Sequence, residues 1–483
     1  MALISNEELN QTVAHEPQQE TSKDGQIEVE TDEGENLCED ESRPPESDWI
    51  ISINKNLDKA EEDHMACSWK KRSIYRIPHY LKDGKEKACV PQIVSIGPFH
   101  HGDERLCEKD KDKWRGLVCM LKRNNQRIEE YLDAVTKVEE KARACYEATI
   151  DMCNEKFIEM MVLDGCFVIE LFWGFFYGFD KLGYTHDDPV FSSSRSSMDI
   201  IRRDMILLEN QIPLFILDLL FCLQLGQPDR IGLLAKLALQ FFYSLKPTDC
   251  PLYCLSWTRL EFDPLPLEGE LHCLELFRRS LLYPRPKPVA TQQSSQTGLQ
   301  FIHCVTELRK KGIKFRNGEV EGFWNIRFKD GILEIPRLVI GDETPPLFLN
   351  LIAFEQCHFN CGNDITSYLI FMDNLINSAE DVGHLHDCGI MEHWLGSDTE
   401  VADLFNKLCK EVVLVGGHSY LSGLSKDVNT YSGNKCNGYI ASLKLKYFSN
   451  PWSIISLIAA IILLVLTLAQ TLYAVFGYYR PGF

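Results

Sequence analysis

Apolar residues recur at helical spacing through much of this 483-residue chain. Between residues 111 and 179 they return every three or four positions, as they do along the buried face of an α-helix. The same spacing returns at 301–311, 347–358, 365–378 and 399–412. The pattern therefore predicts a mainly α fold with a multi-helix globular body.

Alternating apolar and polar positions are clearest in one short region. Residues 315–340 contain three short alternating runs, separated by Asn317-Gly318 and Asp330-Gly331, dipeptides that favour the tight turns of β-hairpins. Prolines and glycines interrupt residues 68–103, where we expect short strands and turns. The β structure is therefore predicted to be a small hairpin region beside the helices.

One further helix is predicted to begin at Asp199, because its side chain could cap the first turn. The apolar residues that would share one face of this helix are Ile201, Met205, Leu208 and Ile212. Pro213 follows them. Because proline lacks an amide hydrogen, we expect it to kink or break the helix there.

Two stretches are apolar enough to be weighed as membrane spans. The first, residues 157–179, contains Glu159, Asp164 and Glu170, each of which would cost roughly 3 kcal/mol at the centre of a membrane helix. The combined cost of the three acidic side chains exceeds the gain from inserting the strongest apolar side chains, which is roughly 6 kcal/mol. We therefore expect a helix buried inside the body, with its acidic groups directed to partners or to the rim.

The second stretch, residues 453–475, lies in a segment without charged residues that runs from 447 to 479. About 20 apolar residues cross a hydrocarbon layer of about 30 Å, so we predict one C-terminal transmembrane helix at 451–476. Tyrosines and Trp452 flank it, as aromatic side chains do at the headgroup layer. The residues predicted to form the membrane anchor are Trp452, Ile454, Ile455, Leu457, Ile458, Ile461, Ile462, Leu463, Leu464, Val465, Leu466, Leu468, Leu472 and Val475.

Cations near the span predict its orientation. Lys435, Lys444 and Lys446 precede it, and Arg480 follows it. Because cytoplasmic flanks carry more Lys and Arg, the body is expected to face the cytosol and the single span to insert after translation. The length of the span does not distinguish the plasma membrane from an endomembrane.

The charge of the chain is unevenly distributed. Of the formal net charge of −20, residues 1–63 carry −15, from 19 acidic and 4 basic side chains. This stretch is too polar to bury enough surface to offset chain entropy, so residues 1–67 are predicted to be a disordered acidic tail. The rest of the chain has no concentrated basic stripe, which argues against nucleic-acid binding.

The helical domain is predicted to span residues 68–450 in two parts. Residues 246–298 between them are rich in Pro, Ser and Gln, a composition typical of a loop. A last helix from about residue 437 is expected to lead into the span. Residues 477–483 would then form a short C-terminal tail.

Several blocks of sequence occur in one order between residues 73 and 476. They are IYRIPHYL, VSIGPFHHG, DKWRGL, MVLDGCFVIELF, DMILLENQIPLFIL, ELRKKGIKF, ILEIPRLVIGDETPPLFLNLIAFEQ and NPWSIISLIAA. Together they resemble the plant family called domain of unknown function 247, also known as uncharacterised protein family 0481. The resemblance implies a largely helical domain with a C-terminal single-pass membrane helix and no established enzymatic activity. Some grass members are linked to pollen self-incompatibility, which implies recognition roles but supplies no active-site residue to carry over.

The cysteines do not form a metal-binding pattern. The chain has 18 of them without a regular framework, and no secretory leader is visible, so we expect reduced thiols. Cys357 and Cys361 lie one helical turn apart, and His384, His386 and Cys388 could supply further ligands. Because neither spacing matches a zinc finger or ribbon, we predict neither a metal nor a cofactor.

Two motifs contain residue types that are used in catalysis. His100-His101 lies in a predicted turn, where adjacent imidazoles usually diverge, so we expect a structural role. Residues 417–421 come close to a hydrolase nucleophile elbow, but Leu421 replaces the required small glycine. The sequence therefore predicts no catalytic residue and no enzyme activity.

Glu209, Asn210 and Gln211 stand beside Pro213 between apolar turns. They could contact a ligand. The interpretation we favour is that they satisfy backbone groups that the proline leaves without a helical hydrogen bond.

Three hypotheses of function remain open at this point. The first is a membrane-tethered protein-interaction, signalling or recognition module that binds a protein partner near the bilayer. The second is an enzyme at the cytosolic face that uses His100 or His101, which would require these histidines to meet titratable groups in a pocket. In the third, the span is only an anchor and exposed helices of the body form a homo-oligomer.

Overall fold

The computed structural model describes most of the chain. The described residues are 48–65, 72–185, 188, 191, 195–226, 232–248, 271–283, 301–318, 322–358, 360–414, 419–434, 438–439 and 451–479. Contacts divide the chain into a small N-terminal unit, residues 1–66, and a large unit, residues 67–483.

Helices dominate the structure, which confirms the predicted fold class. They are α1 (Asp48–Met65), α2 (His79–Lys82), α3 (Asp110–Asn124), α4 (Ile128–Thr136), α5 (Glu139–Arg143), α6 (Asn154–Tyr177), α7 (Arg195–Met205), α8 (Leu214–Leu225), α9 (Leu233–Phe241), α10 (Cys273–Leu281), α11 (Val305–Lys310), α12 (Thr344–Cys357), α13 (Asp364–Leu375), α14 (Ala379–Asp387), α15 (Asp398–Cys409), α16 (Ser422–Gly433) and α17 (Pro451–Tyr479). The strands are β1 (Lys314–Asn317), β2 (Arg327–Lys329), β3 (Ile332–Ile335), β4 (Leu338–Ile340) and β5 (Met391–His393).

Helix α6 lies at the centre of the large unit. It packs against α3, α4, α8 and α9, and most of its side chains are buried. Asp164 and Glu170 are buried and bound to cationic partners, whereas Glu159 is exposed at the rim. The apolar stretch at 157–179 is therefore a core helix, as predicted from its three acidic residues.

The helix predicted to begin at Asp199 has different bounds. α7 begins four residues earlier, and Asp199 lies inside it and pairs with Arg202 instead of capping the first turn. α7 ends at Met205, so the second half of the predicted apolar face is not helical. The predicted break occurs, but α7 ends eight residues before Pro213, which stands instead at the N-cap of α8.

The loop predicted at residues 246–298 is interrupted by a buried helix. α10 packs against α9 and α12, and its N-cap His272 accepts a hydrogen bond from the Glu275 amide through Nδ1. The other imidazole nitrogen lies 2.9 Å from the Ser73 carbonyl oxygen, at the start of the large unit. α10 therefore connects the two predicted parts of the domain. Residues 249–270 and 284–298 lie outside the described part of the chain.

The small sheet confirms one predicted hairpin and corrects the other. β2 and β3 pair antiparallel across Asp330-Gly331, both of which have positive φ values, 51° and 78°. β1 does not form a hairpin at Asn317-Gly318, because it pairs in parallel with β3, giving the order β1-β3-β2. A second, parallel pair joins β4 to β5.

Residues 72–103 form turns and short helices, which confirms the turns predicted there. The strands expected in the same stretch are reduced to an isolated bridge between Ile74 and Tyr146. Prolines and glycines interrupt this segment, so it does not form a β-ladder of its own. Side chains from other elements bind its backbone instead.

Helix α1 corrects the prediction of disorder for the end of the acidic tail. Trp49, Ile53 and Leu57 follow one another at a spacing of four residues, so an apolar stripe lies within an otherwise polar composition. These side chains are exposed. Residues 1–47 lie outside the described residues, and their disorder stays a prediction.

Helix α17 is long and apolar enough to cross a membrane. It begins at Pro451, a residue tolerated in the first helical turn, and it is exposed along nearly all of its length. It ends three residues beyond the predicted span, at Tyr479. Residues 440–450, where a preceding helix was expected, lie outside the described residues.

Candidate functional site

The polar turn between α7 and α8, formed by Glu209, Asn210 and Gln211, binds backbone groups of distant segments. The Asn210 Oδ1 accepts a hydrogen bond from the Ile96 amide at 2.7 Å, and its Nδ2 donates to the carbonyl oxygens of Val94 and Asp204 at 3.0 and 2.9 Å. All three contacts are buried. Asn210 therefore fastens the loop before α3 to the end of α7.

Gln211 acts in the same way and joins the end of α7 to another helix, α10. Its Nε2 donates to the Met205 and Leu207 carbonyl oxygens at 2.7 and 2.8 Å, and its Oε1 accepts from the Leu274 amide of α10 at 3.2 Å. These side chains do satisfy backbone groups, but not the groups that the proline would free. Their partners lie at and just after the end of α7, eight residues before Pro213, and in other segments.

Replacement of Asn210 by alanine is expected to reduce the free energy of unfolding by about 2–4 kcal/mol. The change leaves a buried amide and two buried carbonyl groups without their partner, and each such group costs about 1–3 kcal/mol, partly offset by relaxation. Chemical denaturation of the detergent-solubilised full chain would measure the loss. The control is Asn374→Ala, since Asn374 only donates to a carbonyl group one helical turn earlier. An equal loss in both variants would contradict this account.

The loop before α3 is also held by two buried carboxylates. Asp204 accepts hydrogen bonds from three consecutive amides, those of Gln92, Ile93 and Val94, at 2.7 to 3.1 Å. Burial raises the pKa of Asp204, and these three amides act against that rise because they stabilise the ionised form. The arrangement orders the loop and leaves the carboxylate no open face for a ligand.

Asp164 of α6 forms the second buried carboxylate contact. Its Oδ1 lies 2.7 Å from the Lys113 Nζ of α3, and its Oδ2 accepts from the Gly97 amide at 2.9 Å. Lys113 also donates to the Ser95 carbonyl oxygen at 2.7 Å. Gly97 has a φ of +76°, and a Cβ there would lie 2.3 Å from the Gln211 carbonyl oxygen, so the loop requires glycine. Three of the sequence blocks thus meet at one buried ion pair.

Glu209 lies where this network reaches the surface. Its carboxylate accepts from the Ile77 amide at 2.7 Å and lies 2.5 Å from the Lys82 Nζ and 3.3 Å from an Arg76 nitrogen. The Arg76 guanidinium in turn lies over the Phe99 ring, 4.0 Å from its centre. The Glu209 side chain is almost fully buried, so Arg76 and Lys82 lie on the solvent side of its carboxylate.

The structure separates the two adjacent histidines. The Nε2 atom of His100 lies 3.9 Å from Glu209, whereas His101 is exposed. Burial lowers the pKa of His100; Arg76 and Lys82 lower it further, and Glu209 opposes them. The neutral form of His100 is therefore favoured, and its Nε2 faces a carboxylate that three other groups already share.

Cys357, His358 and Cys361 lie at the end of α12 and have local partners. The Tyr75 hydroxyl is 2.9 Å from the His358 Nδ1, and the His358 ring stacks on Phe354 with 5.0 Å between centres. Burial raises the pKa of both thiols to about 12, which keeps them protonated. A protonated thiol is a poor metal ligand.

The second group of possible ligands has different neighbours. His384 contacts the Phe315 ring, and the Cys388 sulfur lies 3.6 Å from the His384 Nε2. No cluster of three or more His, Cys, Asp or Glu side chains suited to a metal occurs among the described residues. Residues 415–418, which include Gly417 and His418 of the near-match to a nucleophile elbow, lie outside them.

One buried charge cluster was missed by the sequence analysis. Arg278 of α10 binds Glu275 at 2.6 Å and Glu355 of α12 at 2.9 Å, and all three are buried. Glu355 also accepts hydrogen bonds from the Ile365 and Thr366 amides at 3.1 and 2.8 Å. The available signal was an acidic residue within the apolar run of α12, which indicates a buried partner.

Among the described residues, α17 and α6 are the two helices long and apolar enough to cross a membrane, and α17 differs from α6 because its side chains are exposed. All the predicted anchor residues lie in it, and it contains no charged side chain. The hydroxyls of Thr467 and Thr471 donate to the carbonyl oxygens of the residues four positions earlier, at 2.8 and 2.7 Å. A helix of this kind keeps its backbone and hydroxyl groups satisfied without water.

Comparison with known proteins gives consistent matches. A family model described as a plant protein of unknown function, DUF247, matches residues 74–466. The chain is 30% identical over 441 residues to the Arabidopsis thaliana UPF0481 protein At3g47200, covering 84% of this chain and 86% of that protein. A second Arabidopsis thaliana UPF0481 protein, At3g02645, is 25% identical over 531 residues, covering 91% and 96%. No solved structure gives a significant match.

Proposed function

This chain belongs to DUF247, a family of plant proteins of unknown function, and from that premise we propose that it is a membrane-tethered interaction module. The observation that carries the proposal is α17, an uncharged apolar helix of 29 residues that is exposed in the fold. An exposed apolar surface of this size is costly in water and favourable in lipid. The body would then lie at one membrane surface, which the lysines before the span favour as the cytosolic one.

A role in binding a protein partner, without catalysis, is supported by how the ionisable groups are used. Asp164, Asp204, Glu209 and Glu355 all bind backbone amides inside the fold. Catalytic acids and bases need a face that is open to substrate. Nucleic acid is disfavoured as a partner because the chain carries a formal net charge of −20.

An enzyme that uses His100 is the second candidate, favoured by the 3.9 Å distance to Glu209. Glu209 is, however, already bound to Lys82, Arg76 and the Ile77 amide, so its carboxylate oxygens are occupied by structural contacts. The same contacts explain His100 as a group that packs against the cluster and positions the loop. We therefore place the interaction role first.

Membrane insertion can be tested by flotation of the full chain after alkaline extraction. The native chain is expected to float with vesicles. Leu464→Lys combined with Leu468→Lys is expected to abolish flotation, because each lysine near the helix centre costs about 3 kcal/mol. The matched control replaces the same two leucines by alanine, which keeps the helix uncharged and should keep the chain afloat.

Two results would contradict the proposal. A native chain that stays in the soluble fraction after lysis would exclude tethering by α17. Glycan on Asn10, in the acceptor Asn10-Gln11-Thr12, would place the body on the luminal side and reverse the proposed orientation.

A further inference from the structure

Gln470 is a polar amide inside the apolar stretch of α17. It lies six residues before residue 476, the predicted end of the span, so it is about 9 Å inside that end. It makes no hydrogen bond to any residue that the structure describes, whereas Thr467 and Thr471 are satisfied by carbonyl groups of their own helix. In lipid, water does not reach such an amide, so its two donors and its acceptor need a protein partner.

Within residues 454–476, Gln470 lies on a narrow face of α17 on which five of the six other residues have small or hydroxyl side chains, Leu463 being the exception. At 100° per residue, this face, which we call the Gln470 face, contains Ser456, Ala460, Leu463, Thr467, Gln470, Thr471 and Ala474. The opposite face consists of Ile454, Ile458, Ile461, Val465, Leu468 and Leu472. Small residues allow two helices to approach closely in lipid, and bulky branched residues keep them apart.

We propose that the Gln470 face pairs with the same face of a second copy of this chain. Copies anchored by one C-terminal helix share one orientation, so their Gln470 amides lie at the same depth in the bilayer. An amide is both donor and acceptor, and two of them related by a two-fold axis can satisfy each other. A different partner would need a matching polar group at the same depth. This inference rests on the proposed membrane tethering, and it names the partner of α17.

The pairing would serve the interaction role of the body. Two bodies held side by side at one membrane surface present their binding surfaces as a pair, which raises the effective concentration of the second site once the first is occupied. Pairing through α17 also separates this proposal from a homo-oligomer formed by the exposed helices of the body.

The test is to count the copies in each particle by single-molecule photobleaching. The full chain, carrying one fluorescent tag, is reconstituted at low density into phosphatidylcholine vesicles. The native chain is expected to bleach mainly in two steps. Gln470→Leu is expected to weaken the dimer about threefold to thirtyfold, the range measured for one hydrogen bond between membrane helices. Gln470→Asn keeps an amide and should recover part of the dimer.

A matched pair of variants tests which face is used. Ala460→Leu adds a bulky side chain to the Gln470 face and should shift the population to one bleaching step. Ala469→Leu makes the same change on the opposite face and should leave two steps. An equal effect of both variants, or no effect of Ala460→Leu and Gln470→Leu, would overturn the pairing.

Flotation of the same vesicles distinguishes a failure of membrane tethering from a failure of helix pairing. A chain that floats but bleaches in one step is tethered and unpaired, which overturns this inference and leaves the proposed function standing. A chain that fails to float overturns both.

Discussion

Lys113→Met is expected to lower the free energy of unfolding by about 3–5 kcal/mol, the usual cost of removing one partner of a buried ion pair. Lys113 is 1% exposed and donates to both Asp164 and the Ser95 carbonyl oxygen. Methionine fills a similar volume, so the loss would report the uncompensated Asp164 carboxylate and not a cavity. Denaturant unfolding of the full chain in detergent, followed by tryptophan fluorescence, measures it.

The same variant should show a distinctive pH dependence. Burial raises the pKa of Asp164, and the loss of Lys113 removes the main group that opposes this rise. A carboxyl group whose folded pKa exceeds its unfolded value, about 3.9, favours folding when protonated. The penalty of Lys113→Met should therefore shrink as the pH falls from 7 towards 4. A second change, Asp164→Asn, removes the charge and should recover part of the loss at pH 7; a double variant as unstable as the single one would contradict the ion-pair account.

Glu355→Ala is expected to have an effect of similar size, about 3–5 kcal/mol. The change removes a fully buried carboxylate from Arg278 and leaves the Ile365 and Thr366 amides, in the first turn of α13, without their acceptor. Glu355→Gln keeps the shape and one acceptor oxygen, so it should lose less. Both variants can be measured by the same denaturant unfolding.

The matched control for Glu355 is another glutamate that is paired with arginine at the surface. Glu392 binds Arg337, and 47% of its side chain is exposed. Exposed pairs contribute about 0–1 kcal/mol, so Glu392→Ala should change stability little. If the two alanine variants were equally unstable, the buried position of Glu355 would not be the cause.

Local patterns in the sequence predicted the parts of the fold that local forces determine. The periodicity of α6, with three acidic residues in an apolar run, was enough to identify a core helix. The Asp330-Gly331 turn was equally visible, because its positive φ values restrict the residue types that fit. The parallel pairing of β1 with β3 was not predictable in this way, since nothing in either strand specifies a distant partner.

Mean composition does not reveal a short helix that lies in a polar region. α10 has only nine residues and lies in a segment rich in Pro, Ser and Gln. The mean composition of that segment therefore does not reveal the apolar residues of its buried face. α1 was hidden in the same way by the acidic residues around Trp49 and Leu57. In both helices the signal was a stripe of apolar residues, which a mean composition does not record.

The sequence predicted what the residues of the candidate site do, but not which groups they contact. The sequence indicated that Asn210 and Gln211 satisfy backbone groups, and this is their role. It did not indicate that Asn210 would bind the amide of Ile96, which is 114 positions away, or that Lys113 would pair with Asp164, 51 positions away. Such pairs depend on helix packing and not on local spacing.

The start of the large unit depends on residues that are synthesised much later. The backbone at Ser73 is bound by His272, and Tyr75 is bound by His358, 283 positions further on. A nascent chain emerging from the ribosome therefore cannot close its core around this first segment until most of the body has been made. The segment around Ser73 and Tyr75 is therefore expected to reach its final packing only after α12 has been synthesised.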